Sequence, residues 1–246
     1  MDIYYKDLPL ESPRDFLITD LINIADRDFK YFEKAVAPAI DSCKQKLDDL
    51  QNQIKLFIKK NHTDENGDII PYHMSELGTL PFDRQHLENQ LLSLIEMKVV
   101  YFYKTLENSI KDLMTLAYPD HYIPDTYKFY NVKNFFDFKN IKIANLTGYI
   151  EFDNIRKQNN NIKHHTSPDI DYLITVDDHN QYNYDYLNEV YDKNKDKAII
   201  FIQSLKDLII KDLFEISDEK LNEIAEQLTF KMSEESITKL ISLLKN

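Results

Sequence analysis

The sequence is poor in the residues that build tight hairpins and phosphate-binding loops. It has three glycines and eight prolines in 246 residues, no tryptophan and one cysteine. Few glycines argue against a sandwich of many tight turns and favour helices. The glycines at positions 67, 78 and 148 are too far apart for a P-loop, a dinucleotide-binding loop or a hydrolase nucleophile elbow, each of which needs clustered glycines.

Cysteine and long apolar runs are also scarce. Cys43 has no second cysteine to pair with, and it falls in a helical pattern with no histidine close in sequence, which favours a packing role over a thiolate nucleophile. The first residues carry acids and no apolar signal segment, and no window approaches about eighteen uninterrupted apolar residues. We therefore expect a cytoplasmic protein that does not enter a membrane.

Helical periodicity dominates the rest of the sequence, in which 43% of the residues are hydrophobic. Amphipathic stretches predict a helix from Ser12 with a kink or a break near Ala37, caused by Pro38. They also predict a later long helix with apolar residues on more than one face, which should lie centrally. The stretch "NVKNFFDF" predicts a short helix. The fold class that follows is all-α, a bundle of long antiparallel helices.

The remaining segments are less regular. Residues 172–184 alternate weakly between apolar and polar, which is compatible with a small β-hairpin or an irregular loop. Two short helices follow a strongly amphipathic one near the end of the chain. We therefore divide the chain into a helical domain, residues 1–216, and a C-terminal helical extension, residues 217–246.

The net charge of −12 opposes broad, non-specific attraction to nucleic acid. One segment reverses the sign: residues 128–165 contain seven lysines or arginines and three acids, a balance of +4. A basic segment within an acidic chain is what a confined anion site requires, although chance variation in a lysine-rich composition produces the same pattern.

The basic segment ends in "GYIEFDNIRKQNNNIKHH", which predicts a helix from about Thr147 to the neighbourhood of His164, with Ile150, Ile155 and Ile162 facing inward. Arg156, Asn160 and His164 then fall at positions i, i+4 and i+8 and form one polar stripe. We call these three residues the stripe. The polar neighbours of the stripe are Asn159, Lys157, Lys163 and His165.

Guanidinium, amide and imidazole groups at one helix end suit a phosphodiester. An arginine pairs bidentately with phosphate oxygens, and a histidine transfers protons near neutral pH. RNA carries its own nucleophile, the 2′-hydroxyl, so a site without a metal ion or a serine or cysteine nucleophile can cleave it. The sequence has no HExxH and no Glu-x-x-His pair, and we expect neither a metal nor another cofactor.

The motif "IRKQNNNIKHH" resembles the helix-borne motif of HEPN-domain proteins, in which an arginine and a following polar residue precede a histidine. The upstream helix "VVYFYKTLENSIKDLMTLAY" is similar to the long helix before that motif, and the resemblance covers roughly residues 84–214. It implies an α-helical homodimer with the motif helices facing each other. It also implies a metal-independent endoribonuclease of a toxin–antitoxin or antiviral defence system, with RNA as substrate and an antitoxin or another defence protein as partner.

The resemblance assigns roles to individual residues of this chain. His164 is the expected general acid or base, Arg156 stabilises the phosphorane charge, and Asn160 orients the phosphate or the histidine. The residues expected to contact the substrate are Asn159, Lys157, Lys163 and His165. One position departs from the family pattern, because Asn159 stands where a second arginine is expected.

The departure leaves three interpretations open. Arg156 reaches the phosphate from one turn earlier, or the domain is a catalytically degenerate scaffold that binds a protein partner, or the chain is a metal-dependent helical enzyme built on histidines and acids. A structural role for each residue is the simpler alternative. Arg156 would then pair with Glu151 or Asp153, and His164 would stabilise the helix C-terminus through the helix dipole.

Overall fold

The computed structural model describes residues 13–68, 74–119, 128–164, 183–215 and 218–244. Within these ranges the chain forms α-helices and two single turns of 3-10 helix, Met74–Leu77 and Ile143–Asn145, and no β-strand. The all-α prediction is confirmed. The α-helices are α1 (Pro13–Ala25), α2 (Tyr31–Asn61), α3 (Leu80–Ala117), α4 (Phe129–Phe138), α5 (Tyr149–His164), α6 (Tyr184–Phe214), α7 (Asp218–Lys231) and α8 (Glu234–Leu244).

The bundle is organised around α3. This helix packs against α1, α2, α5 and α6, which gives it the central position that the sequence predicted, and its buried residues form one broad continuous face. α5 and α6 also pack closely against each other. The core is filled by large side chains that include Phe102, Phe136, Phe152, Phe201, Tyr191 and Met114.

Of the kink or break predicted near Ala37, the break is wrong. α2 runs without a break from Tyr31 through Pro38 to Asn61, although proline removes one backbone donor from a helix interior. Packing explains this, because Ile40, Cys43 and Leu47 are buried beyond the proline and α2 lies along α3.

The break between α1 and α2 comes earlier than Pro38. The backbone N–H of Lys30 donates to Asp28 Oδ1 at 3.1 Å, a turn that aspartate stabilises through its own side chain. Phe29, which is 4% exposed, anchors this turn in the core. Tertiary contacts thus set the helix boundary here, rather than the proline.

Two predictions fall at the margins of the described residues. The hairpin predicted over residues 172–184 lies outside them up to residue 182, and Asn183 is the N-cap of α6, where its side chain accepts from the backbone N–H of Tyr186 at 2.9 Å. The closest packing of α7 and α8 is against each other, and the division at residue 216 stays a prediction. Among the helices described, none has the length and apolarity to cross a bilayer.

A buried lysine lies between α3 and α6. Lys98 is 5% exposed, and its Nζ donates to Asn188 Oδ1 at 2.6 Å and lies 4.2 Å from the centre of the Tyr191 ring. Burial lowers the pKa of Lys98 below its ordinary 10.5, against the opposing charges of Asp192 and Glu33. The positive charges of Lys195 and Lys44 lower the pKa further.

This burial predicts a pH dependence of stability. Because the folded-state pKa of Lys98 is below 10.5, the folded protein releases this proton before the unfolded chain does. The contribution of Lys98 to stability therefore improves as pH rises from neutral towards 10. Urea unfolding of the wild type and Lys98→Met at both pH values should show the wild type gaining relative to the variant. The exposed Lys55→Met is the control, and an equal pH response in all three proteins would refute the assignment.

Candidate functional site

A close approach of backbones fixes the start of α5. Gly148 has φ +83°, and a Cβ added there would overlap the carbonyl oxygen of Lys197 and lie 2.9 Å from the backbone nitrogen of Phe201. Only glycine combines this conformation with this contact. The N-terminus of α5 is therefore pressed against the middle of α6, and every side chain of α5 is placed from that point.

The inner face of α5 packs into an aromatic cluster. Phe152 and Ile155 are fully buried, and the Phe152 ring lies 4.7 Å from that of Phe201 and 5.3 Å from that of Phe129, centre to centre. Ile162 is half-buried against the core. The inward position predicted for Ile150 is wrong, since its side chain is 70% exposed. Gly148 and the aromatic cluster together hold α5 rigidly, with its other face to solvent.

Arg156 is held at the margin of this cluster by two contacts. Its Nε donates to Asp153 Oδ1 at 2.8 Å, and a second guanidinium nitrogen lies 2.8 Å from the same oxygen. The guanidinium carbon is 5.3 Å from the centre of the Phe129 ring on α4, a cation–π distance. Of the two acids considered from sequence, Asp153 is the partner. The arginine points towards the N-terminal half of α5 and keeps 25% of its side chain exposed.

Asp153 binds two cations at once. Lys157 Nζ lies 3.0 Å from its second oxygen. Burial raises the pKa of the Asp153 carboxyl, but the hydrogen bonds from Lys157 and Arg156 outweigh this and lower the pKa below its ordinary 3.8. The carboxylate therefore stays ionised and keeps Arg156 in place across the neutral range.

The two central asparagines differ in environment. Asn159 is 1% exposed, and its Nδ2 lies 3.4 Å from Asn160 Oδ1. Its own buried Oδ1 has no hydrogen-bond partner among the described residues. Asn160 is half-exposed. Within one chain Asn160 lies on the stripe side of α5, while Asn159 lies on the core side, out of reach of solvent.

The C-terminal end of α5 is open to solvent. Lys163 and His164 are exposed in the last turn, as is Lys157 nearer the middle of the helix. His165 lies outside the described residues. The helix end therefore presents an imidazole and an ammonium group together, at the pole where the helix dipole favours positive charge.

One chain does not bring Arg156 and His164 together. They are eight positions apart, a rise of about 12 Å along the axis, and Arg156 is drawn towards Asp153, on the side away from His164. Asn160 lies midway between them. The stripe predicted from sequence is therefore a line on the surface and not a pocket.

A groove between α5 and α6 lies beside the stripe, and the sequence reasoning missed it. It has a volume of about 420 Å³ and is lined by Asn154, Lys157, Gln158, Tyr186, Glu189, Val190, Lys193 and Asn194. The sequence pattern that could have indicated one wall of the groove is the i, i+4 spacing of two amide side chains on α5, Asn154 and Gln158. The α6 half of the groove could not be found this way, because it comes from a distant part of the chain.

Comparisons with protein-family models, with curated proteins and with solved structures find no match for this chain. In the described ranges, no three histidine, cysteine, aspartate or glutamate side chains are grouped so that they would hold a metal ion. The geometry of α5 and its surroundings is therefore what indicates a function for this chain.

Proposed function

We propose that this chain is a metal-independent endoribonuclease of a bacterial defence or toxin–antitoxin system, and that its active centre forms only when two copies pair along α5. The proposal includes the HEPN-like character suggested by "IRKQNNNIKHH". The observation that carries it is the placement of Arg156 and His164 on one accessible stripe, equally far on either side of Asn160.

Two-fold symmetry would bring Arg156 of one chain next to His164 of another. In an antiparallel pair of α5 helices with a two-fold axis near Asn160, Arg156 of each chain lies opposite His164 of the other chain. Two identical centres result, each with one guanidinium and one imidazole. The separation of about 12 Å that keeps these groups apart in one chain is then the spacing that brings them together in a pair.

The chemistry in each centre is a transesterification. The 2′-oxygen of RNA attacks phosphorus, the bond to the 5′-oxygen breaks, and the products are a 2′,3′-cyclic phosphate and a 5′-hydroxyl. The 2′-hydroxyl gives up its proton and the leaving 5′-oxygen takes one up, and His164 acts as the general base or the general acid in this exchange. Arg156 stabilises the charge on the phosphoryl oxygens and Asn160 orients them.

The ion pair with Asp153 positions the arginine for this role. Asp153 engages two nitrogens of Arg156, and a guanidinium has five N–H donors in a fixed fork, so donors remain for a phosphate. Phe129 beneath the guanidinium restricts it further. A preoriented cation stabilises developing charge without having to reorganise.

The test is incubation of the purified chain with total RNA in excess EDTA. Cleavage that persists in EDTA and leaves cyclic phosphate ends supports the proposal. Cleavage that EDTA abolishes favours the metal-dependent enzyme. The metal-independent and the metal-dependent enzyme thus respond to EDTA in opposite ways.

One observation favours a second candidate, a catalytically degenerate scaffold that binds a protein partner. Asn159 stands where the family pattern expects a second arginine, so the chain has no second guanidinium at this position. The Asn159 side chain is also 1% exposed. For the scaffold, RNA stays intact both with EDTA and with added Mg²⁺ at every protein concentration.

A further inference from the structure

The groove between α5 and α6 is built from polar side chains. Its α5 wall carries Asn154, Lys157 and Gln158, and its α6 wall carries Tyr186, Glu189, Val190, Lys193 and Asn194. Val190 is the single aliphatic residue among these eight. Polar and apolar atoms nevertheless line the groove in about equal amounts, so it suits a small ligand that combines a flat apolar face with hydrogen-bonding edges.

The floor of the groove is preorganised. Asn194 is 5% exposed; its Nδ2 donates to the carbonyl oxygen of Val190 at 2.6 Å, and its Oδ1 accepts from Asn154 Nδ2 at 3.1 Å. Both ends of the Asn194 amide are therefore used within the protein. The Asn154 carbonyl oxygen and the amide of Gln158 are the groups left to meet a ligand.

The remaining lining residues match the parts of a nucleotide. Tyr186 offers an aromatic face on which a base can stack. A side-chain amide pairs a donor with an acceptor, as base edges do, and the Glu189 carboxylate accepts from exocyclic amino groups. Lys157 and Lys193 provide two ammonium groups for phosphate oxygens, and Lys157 is shared with Asp153.

We propose that this groove binds one nucleotide of single-stranded RNA, with its base on Tyr186, its edge against Gln158 and Asn154, and its phosphates near Lys157 and Lys193. This assignment rests on the proposed ribonuclease function and makes the groove the subsite that selects the RNA strand. A base reaches such a groove only when it is unpaired, so the substrate class is single-stranded or looped RNA.

The direction of the helices connects the groove with the stripe. Asn154 contacts Asn194 and Glu151 contacts Lys197, so α5 and α6 run antiparallel. Tyr186 therefore lies at the end of the groove nearest the C-terminus of α5, where His164 is exposed. Lys157 lies between the groove and the stripe around the helix. An RNA strand that leaves the groove at Tyr186 thus passes towards His164.

The experiment measures RNA binding separately from cleavage. Fluorescence anisotropy of labelled single-stranded RNA of about eight nucleotides, within the usual site size for such surfaces, is recorded on the His164→Ala chain so that the probe stays intact. The groove variants are Tyr186→Ala and the double variant Gln158→Ala with Lys193→Ala. The controls are Tyr31→Ala, at a tyrosine 73% exposed on α2, and Lys55→Ala, at an exposed lysine of α2.

Each groove variant should weaken the Kd about tenfold or more, while both controls leave it unchanged. Loss of Lys193 should also reduce the slope of log Kd against log salt by about one. The double variant changes accessible side chains, which keeps the test valid if Tyr186→Ala disturbs the fold. Groove variants that bind RNA like the controls, or a parent chain with no saturable binding, would overturn the assignment.

The two proposals fail in different ways. If the wild type does not cleave RNA but groove variants still lose binding, the ribonuclease proposal fails and the groove remains an RNA site. If the wild type cleaves RNA and groove variants keep both Kd and KM, the groove assignment fails and the ribonuclease remains.

Discussion

Replacing His164 by alanine is expected to lower RNA cleavage in EDTA by about a thousandfold, the middle of the range for loss of a general acid or base. The fold should not change, because the side chain is exposed in the last turn of α5 and surface substitutions of this kind alter stability by about 0.5 kcal/mol or less. The measurement pairs a cleavage time course with a thermal unfolding curve.

The matched control is His86→Ala, at an exposed histidine of α3. It should cleave RNA at the wild-type rate. Equal cleavage by the His164→Ala and His86→Ala proteins would remove His164 from the mechanism, whatever the activity of the wild type.

Gly148→Ala is expected to destabilise the folded chain by about 4 kcal/mol or more, or to prevent folding. Two effects add. A Cβ at φ +83° is strained by about 1–2 kcal/mol, and the same atom would overlap the backbone carbonyl of Lys197, which cannot move without separating α5 from α6. Urea unfolding monitored by circular dichroism measures the loss.

Two other glycines separate these effects. Gly67 and Gly78 also have positive φ, +88° and +63°, but an added Cβ meets nothing within 4 Å at either position. Gly67→Ala and Gly78→Ala should therefore lose only about 1–2 kcal/mol, the strain part alone. A Gly148→Ala protein as stable as these two would show that the α5–α6 contact is looser than described.

Local sequence patterns predicted much of the fold. The scarcity of glycine favoured helices, and apolar periodicity placed α3 at the centre and α5 up to His164. These features depend on residues a few positions apart, and helical spacing encodes them directly. The predictions that failed, a break at Pro38 and an inward Ile150, concern what α2 and α5 pack against.

The candidate site was also predicted in part, where it depends on local spacing, and missed where it depends on packing between distant residues. The i, i+4, i+8 spacing of Arg156, Asn160 and His164 identified one face of α5, and the acid three residues before Arg156 was among the partners considered. The burial of Asn159 was not predicted: the sequence analysis listed it among the substrate contacts, whereas it follows the inward Ile155 by four positions and lies in the core. The contact with Phe129 and the groove wall from α6 join residues far apart in the chain, and the periodicity of one helix holds no information about them.

Mixing two inactive variants tests most directly whether the active centre forms between two chains. His164→Ala and Arg156→Ala are each expected to be inactive in RNA cleavage, and equal amounts are allowed to exchange subunits. Half of the random pairs are mixed, and each mixed pair keeps one intact centre, so activity should return to about one quarter of the wild-type level. If the mixture stays as inactive as its two components while the wild type cleaves RNA, the centre does not combine Arg156 of one chain with His164 of another.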